Sequence, residues 1–160
     1  MNEGKQFEKD FKASVLDSQF YLRLNDGGGW SDAENTRFTA KNLCDCVLHQ
    51  PISSILYLLE LKSHTGTSIP ETALNGDTKK RKDGKKTKVE RLAEINQAGT
   101  FPGFVCNFRD YSETYLIAAK LVKEELGVRK SLSLDTCRKL GTMIPQKKLR
   151  VHWRYDLSVL

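Results

Sequence analysis

Apolar residues near the start of the chain recur at steps of four: Phe7, Phe11 and Val15. That spacing predicts a helix over residues 4–17. At about 100° per residue, Glu8 falls beside Val15 on the edge of the inward stripe, while Lys5, Lys9, Asp10 and Lys12 lie mostly farther round. A carboxylate there either snorkels outward or has a partner on the core side. A short strand is predicted at residues 20–24. The run Gly27-Gly28-Gly29 lacks a following Gly-Lys-Ser/Thr, so it predicts a flexible turn and not a phosphate loop. Residues 42–48 and 55–62 are apolar on both faces, as strands buried inside a sheet should be. Next come a helix over 89–97, a strand over 103–109, a helix over 113–126 ended by Gly127, and a short helix over 133–140. Residues 149–157 alternate, with Leu149, Val151, Trp153, Tyr155 and Leu157 on one face and Arg150, His152, Arg154 and Asp156 on the other. This order predicts an α/β protein, a mixed sheet flanked by helices, in one domain over residues 1–160.

Two of the apolar strands carry a carboxylate that the pattern does not explain. Asp45 interrupts the first and Glu60 the second, and Lys62 shares a face with Glu60 because side chains alternate. An ionised carboxylate among apolar neighbours needs a cation. Two of them on adjacent strands can hold a hard divalent ion, with Glu8 as a third oxygen donor and Lys62 placed to act on an attacking water. The competing reading is a set of ion pairs that only satisfies itself. Cys44-Asp45-Cys46 with His49 nearby has the wrong spacing for a zinc hairpin and reads as buried thiols.

Charge sharpens this picture. The 160 residues hold 26 Lys and Arg against 20 Asp and Glu, a net charge of +6, which permits a polyanionic partner. Much of the excess sits in residues 77–88, where Lys79, Lys80, Arg81, Lys82, Lys85, Lys86 and Lys88 make seven basic residues in twelve. With no apolar periodicity, this run predicts a loop that is either merely solvated or in contact with nucleic-acid phosphates. No apolar run approaches the ~20 residues of a membrane span. Met1 to Asp10 do not read as a signal peptide, and four sparse cysteines fit a reducing compartment, so a cytoplasmic protein is expected.

Asp45, then fourteen residues, then Glu60-Leu61-Lys62 is the minimal pattern of the PD-(D/E)XK nuclease superfamily. A wider set of segments resembles RecU-type Holliday junction resolvases, most of all versions carried by phages and prophages. These are Gly4 to Phe11 (GKQFEKDF), Asn35-Thr36-Arg37-Phe38, Cys44-Asp45, Leu58 to Ser63 (LLELKS), Gly66 to Pro70 (GTSIP), Gly103-Phe104 and Asn107-Phe108-Arg109. The resemblance spans residues 3–125 and is strongest over 37–70. It implies a restriction-endonuclease-like core and a homodimer that nicks four-way DNA junctions symmetrically with Mg²⁺, or Mn²⁺ in its place. Asp45 and Glu60 would bind the metal, Lys62 would be the catalytic lysine, and Glu8 would be the acidic residue of the first helix. Arg37 and the basic run would touch DNA backbone. His64 is expected to be a loop histidine, and the Arg150, His152 and Arg154 face either a solvated surface or a DNA contact. Where the family often carries a Gln, at the start of the helix after the Ile-Pro segment, this chain has Lys88, which leaves that role unassigned. The alternatives are another nuclease of the superfamily, acting as a nicking, flap or restriction-like enzyme, and a non-catalytic DNA-binding module.

Overall fold

The computed structural model describes residues 2–24, 27–31, 36–40, 42–76 and 86–160, the stretches 27–31 and 36–40 as backbone. Six strands form the central sheet in the order β1 (Phe20–Arg23), β4 (Cys46–Gln50), β5 (Ile55–His64), β7 (Thr100–Phe108), β8 (Glu113–Ala118) and β10 (Thr142–Met143). Only the β5–β7 pair in this sheet is parallel. A parallel pair needs a crossover, and here it carries β6 (Ser68–Pro70), α2 (Glu71–Asn75) and α3 (Lys88–Ala93). The expected mixed sheet flanked by helices is what forms.

Alternation along β4 and β5 divides the core in two. Cys46, Leu48, Tyr57, Leu59 and Leu61 point to one face. There they meet Phe7 and Phe11 of α1 (Glu3–Lys12) and Tyr155 of β12 (Trp153–Tyr155), which pairs with β11 (Gln146–Lys148). The Phe7 and Tyr155 rings meet edge to face, their centroids 5.4 Å apart. Asp10 is buried here, accepting from Gln6 Nε2 at 2.7 Å and Trp153 N at 3.0 Å and contacting His152 Nδ1 at 3.0 Å. On the opposite face Phe104, Cys106 and Phe108 pack with Leu92 of α3, Val122 of α4 (Ala119–Val128) and Cys137 of α5 (Leu134–Leu140). Gly103 lets β7 approach its neighbours: a Cβ there would lie 2.8 Å from the Ile117 carbonyl and 2.7 Å from the Phe101 ring.

Several elements differ from the sequence expectation. The first helix ends at Lys12, because Ser14 Oγ donates to the Asp10 carbonyl while accepting from Tyr155 N. The glycine run is β2 (Gly27–Ser31), paired with β3 (Thr36–Ala40), and not a turn. The predicted helix over 113–126 is a strand, β8, that passes directly into α4, and α4 runs through Gly127 to Val128. The alternating stretch 149–157 is no single strand: Leu149 N donates to the His152 carbonyl, closing a turn between β11 and β12. The predicted strand over 42–48 begins only at Cys46.

Candidate active site

A tight turn over residues 51–54, with Ser54 left-handed at φ 55°, joins β4 to β5. Their register pairs Cys46 with Leu59, and extending it by one residue sets Asp45 across from Glu60. Here regular pairing stops. Asp45 N donates to the Leu59 carbonyl at 3.0 Å, and the Asp45 side chain supplies the next acceptor, Oδ2 taking the Leu61 N–H at 2.8 Å. The carboxylate is thus built into the end of the hairpin.

Glu60 lies on the face opposite α1 and is 1% exposed. Lys62, two residues along the same face, places Nζ 2.8 Å from Glu60 Oε1. Lys88 places its Nζ 2.9 Å from Oε1 and 3.0 Å from Oε2. Burial pushes the Glu60 carboxyl up; Lys62 opposes this, the Asp45 charge adds to it, and Lys88 opposes it again. Burial also pushes the Cys44 thiol up to about 11, with Glu60 and then Asp45 adding to the effect. Two acids and two ammonium groups therefore share one part of the sheet.

The position of Lys88 has a local cause. Thr87 caps α3, its hydroxyl accepting from Glu90 N while the Glu90 carboxylate accepts from Thr87 N. Val89 is buried, and its N–H is held by Asn75 Oδ1 at 3.0 Å. Lys88, first in the helix between two fixed residues, has its stem aimed at the sheet. Beyond Lys62, Ser63 Oγ donates to Asn107 Oδ1 and Asn107 Nδ2 to Thr114 Oγ1, bracing the end of β5 against β7 and β8.

The structure brings Asp45, Glu60, Lys62 and Lys88 together. It does not join Glu8 to them through any described hydrogen bond or ion pair: Glu8 Oε2 meets Arg23 Nη2 of β1 at 2.7 Å, on the α1 face. Arg37 lies in β3, of whose side chains nothing is described, and Lys79, Lys80, Arg81, Lys82 and Lys85 lie outside the described residues. Lys86 pairs with Glu94 at 2.7 Å. His64 is the last residue of β5, not a loop residue. Arg150 and His152 lie in a turn, and His152 contacts Asp10. In the sequence Lys88 stands both at the end of the basic run and at the start of the helix after the Ile-Pro segment, and nothing there pairs it with Glu60. The capping box Thr87-Lys88-Val89-Glu90 was the signal that separates it from that run.

Two carboxylates and no soft ligand fit a hard cation such as Mg²⁺, which takes few protein oxygens and completes its shell with water and phosphate. Among the described residues no group of three His, Cys, Asp or Glu side chains could hold a metal ion. Among the described residues, such a site would rest on Asp45 and Glu60. Among the same residues no helix is long and apolar enough to cross a membrane. In comparison with known proteins, the chain matches no family model and no curated protein.

Proposed function

We propose that this chain is a divalent-metal-dependent DNA endonuclease with a restriction-endonuclease-like core, acting as a homodimer on four-way junctions. The observation that carries the nuclease reading is the buried Glu60, opposite Asp45 and in contact with Lys62. The choice of substrate rests on the sequence resemblance and on the basic run that precedes α3.

Asp45 and Glu60 would hold Mg²⁺, which when bound neutralises charge developing on the phosphate and acidifies a bound water. Asp45 is oriented by the Leu61 N–H, so its charge stays fixed at the mouth of the hairpin. The Lys62 ammonium would orient the attacking water and stabilise the negative phosphorane. The burial of Glu60 strengthens its interactions with Lys62 and a bound cation. Phosphate contacts give affinity without base reading, and a twofold-symmetric dimer matches the paired scissile phosphates of a junction.

The test compares wild type with Glu60→Ala on a labelled mobile four-way junction and a matched duplex, with Mg²⁺ and with EDTA. The expected result is symmetric nicks on the junction only, lost in the variant and in EDTA. Equal cutting of both substrates would keep the nuclease and discard the junction preference. Binding with no cutting under any metal would leave a non-catalytic DNA-binding module.

A further inference from the structure

We propose that Lys88 is a displaceable counter-ion of the active site, holding both oxygens of Glu60 until a divalent cation takes them. The inference rests on the metal-dependent reading above and goes beyond it by assigning a role to a residue that reading does not use.

The geometry separates the two lysines. Lys62 reaches Glu60 from the same strand, with Nζ 2.8 Å from Oε1. Lys88 arrives from a different element and bonds both oxygens. A cation that coordinates either oxygen of Glu60 therefore meets the Lys88 ammonium there. Burial is alike for the two lysines, at 21% and 22% exposed, but it sets Lys88 apart from Glu60. Glu60 is 1% exposed and fixed mid-strand, whereas the Lys88 side chain is 22% exposed on a flexible stem. When the contact breaks, the lysine is the partner with somewhere to go.

Charge arithmetic supports the same role. With both acids ionised, Asp45 and Glu60 contribute −2, and Lys62 and Lys88 contribute +2, so the site is neutral without metal. Removing Lys88 would leave an excess of −1 centred on the buried Glu60, which is costly. Adding a divalent ion to the intact set gives +2, the charge that a phosphodiester and a hydroxide together offset. The displaced ammonium then has the incoming phosphate as its new partner. Lys88 thus lowers metal affinity in the free protein and favours anion binding in the loaded one.

The test titrates metal-free protein with Mn²⁺, following free Mn²⁺ by electron paramagnetic resonance. It compares wild type with Lys88→Met, Lys88→Arg, Lys86→Met and Glu60→Gln. Lys88→Met is expected to bind Mn²⁺ about tenfold more tightly than wild type. Lys88→Arg keeps the charge and should stay near wild type. Lys86→Met removes an equal charge two residues away from an exposed pair, and should change affinity less than about twofold. In thermal melts, Lys88→Met should be less stable than wild type without metal and gain more from Mn²⁺. Unchanged affinity in Lys88→Met, alongside binding in wild type that Glu60→Gln removes, would overturn the counter-ion role and leave the metal site standing. Equal tightening by Lys86→Met would also overturn it, since general charge would then explain the effect. No Mn²⁺ binding by any of the five proteins would overturn both.

Discussion

Asp10 and Glu60 are both buried acids, one on each side of the sheet, and they are satisfied in different ways. Asp10 takes a main-chain N–H from Trp153, a side-chain amide from Gln6 and a contact with His152. Two of these donors sit on the β12 strand and the turn before it, so the acid ties α1 to the C-terminal hairpin. Glu60 is held by two lysine ammonium groups at the ends of long stems. In the first set the Trp153 N–H belongs to the backbone and cannot leave while β12 stays in place. The second set can leave while the backbone stays. Burial is thus common to the two acids, and the kind of partner is what differs.

A crossed pair of substitutions tests this contrast with the largest expected effects. Glu60→Gln should lower junction cleavage by more than roughly a hundredfold, the upper end of what losing an outer-shell partner of a metal costs. Asp10→Ala should instead cost about 2–3 kcal/mol in urea unfolding, from donors left without their charged acceptor. Cleavage per folded Asp10→Ala molecule should stay within about twofold of wild type. The reverse pattern in those two measurements would sink the distinction between the faces.

A third acid, Glu113, sharpens the comparison from the solvent side. Arg138 grips it with Nη2 at 2.7 Å and Nε at 3.0 Å. That hydrogen bonding holds the Glu113 carboxyl below its ordinary 4.5; burial pushes the other way, and the Tyr115 hydroxyl and the Arg138 charge add to the lowering. A depressed carboxyl adds stability above its unfolded value and loses it as pH falls through the folded one. Arg138→Met should therefore be less stable than wild type at neutral pH, with the gap closing below pH 4.5 in denaturation curves. A gap that persists in acid would mean that the contribution of Arg138 is packing. The smallest effect is expected at Glu8. With its carboxylate on Arg23, Glu8→Gln should reduce cleavage by less than about tenfold. A loss as deep as that of Glu60→Gln would put Glu8 among the metal donors.

Legibility in the sequence followed the length scale of each interaction. β5 was readable because ten residues of one strand carry their own pattern, and strict alternation put Glu60 and Lys62 on one face. Asp45 was readable because a hairpin neighbour is close in the chain. Lys88 is legible as the residue at the family's Gln position but not as a partner of Glu60, since that contact spans 28 residues and depends on α3 docking. β8 was misread because its apolar run continues into α4 with no intervening Gly or Pro, although Thr114, Tyr115 and Ile117 favour a strand. The C-terminal alternation misled because a turn and a strand can share period two over so short a stretch; the Leu149–His152 bond closes the turn, and Asp10 holds His152 and Trp153 beside it.

The order of strands also bears on self-association. A sheet edge is a template on which another chain can add main-chain bonds. At one end β10 offers two residues, and Pro145, which has no N–H to give, follows shortly after. At the other end β1 offers four, with Phe20 and Leu22 exposed beside them. Among the described residues, the sheet is thus blunt at one edge and adhesive at the other, so strand-on-strand aggregation would start from β1.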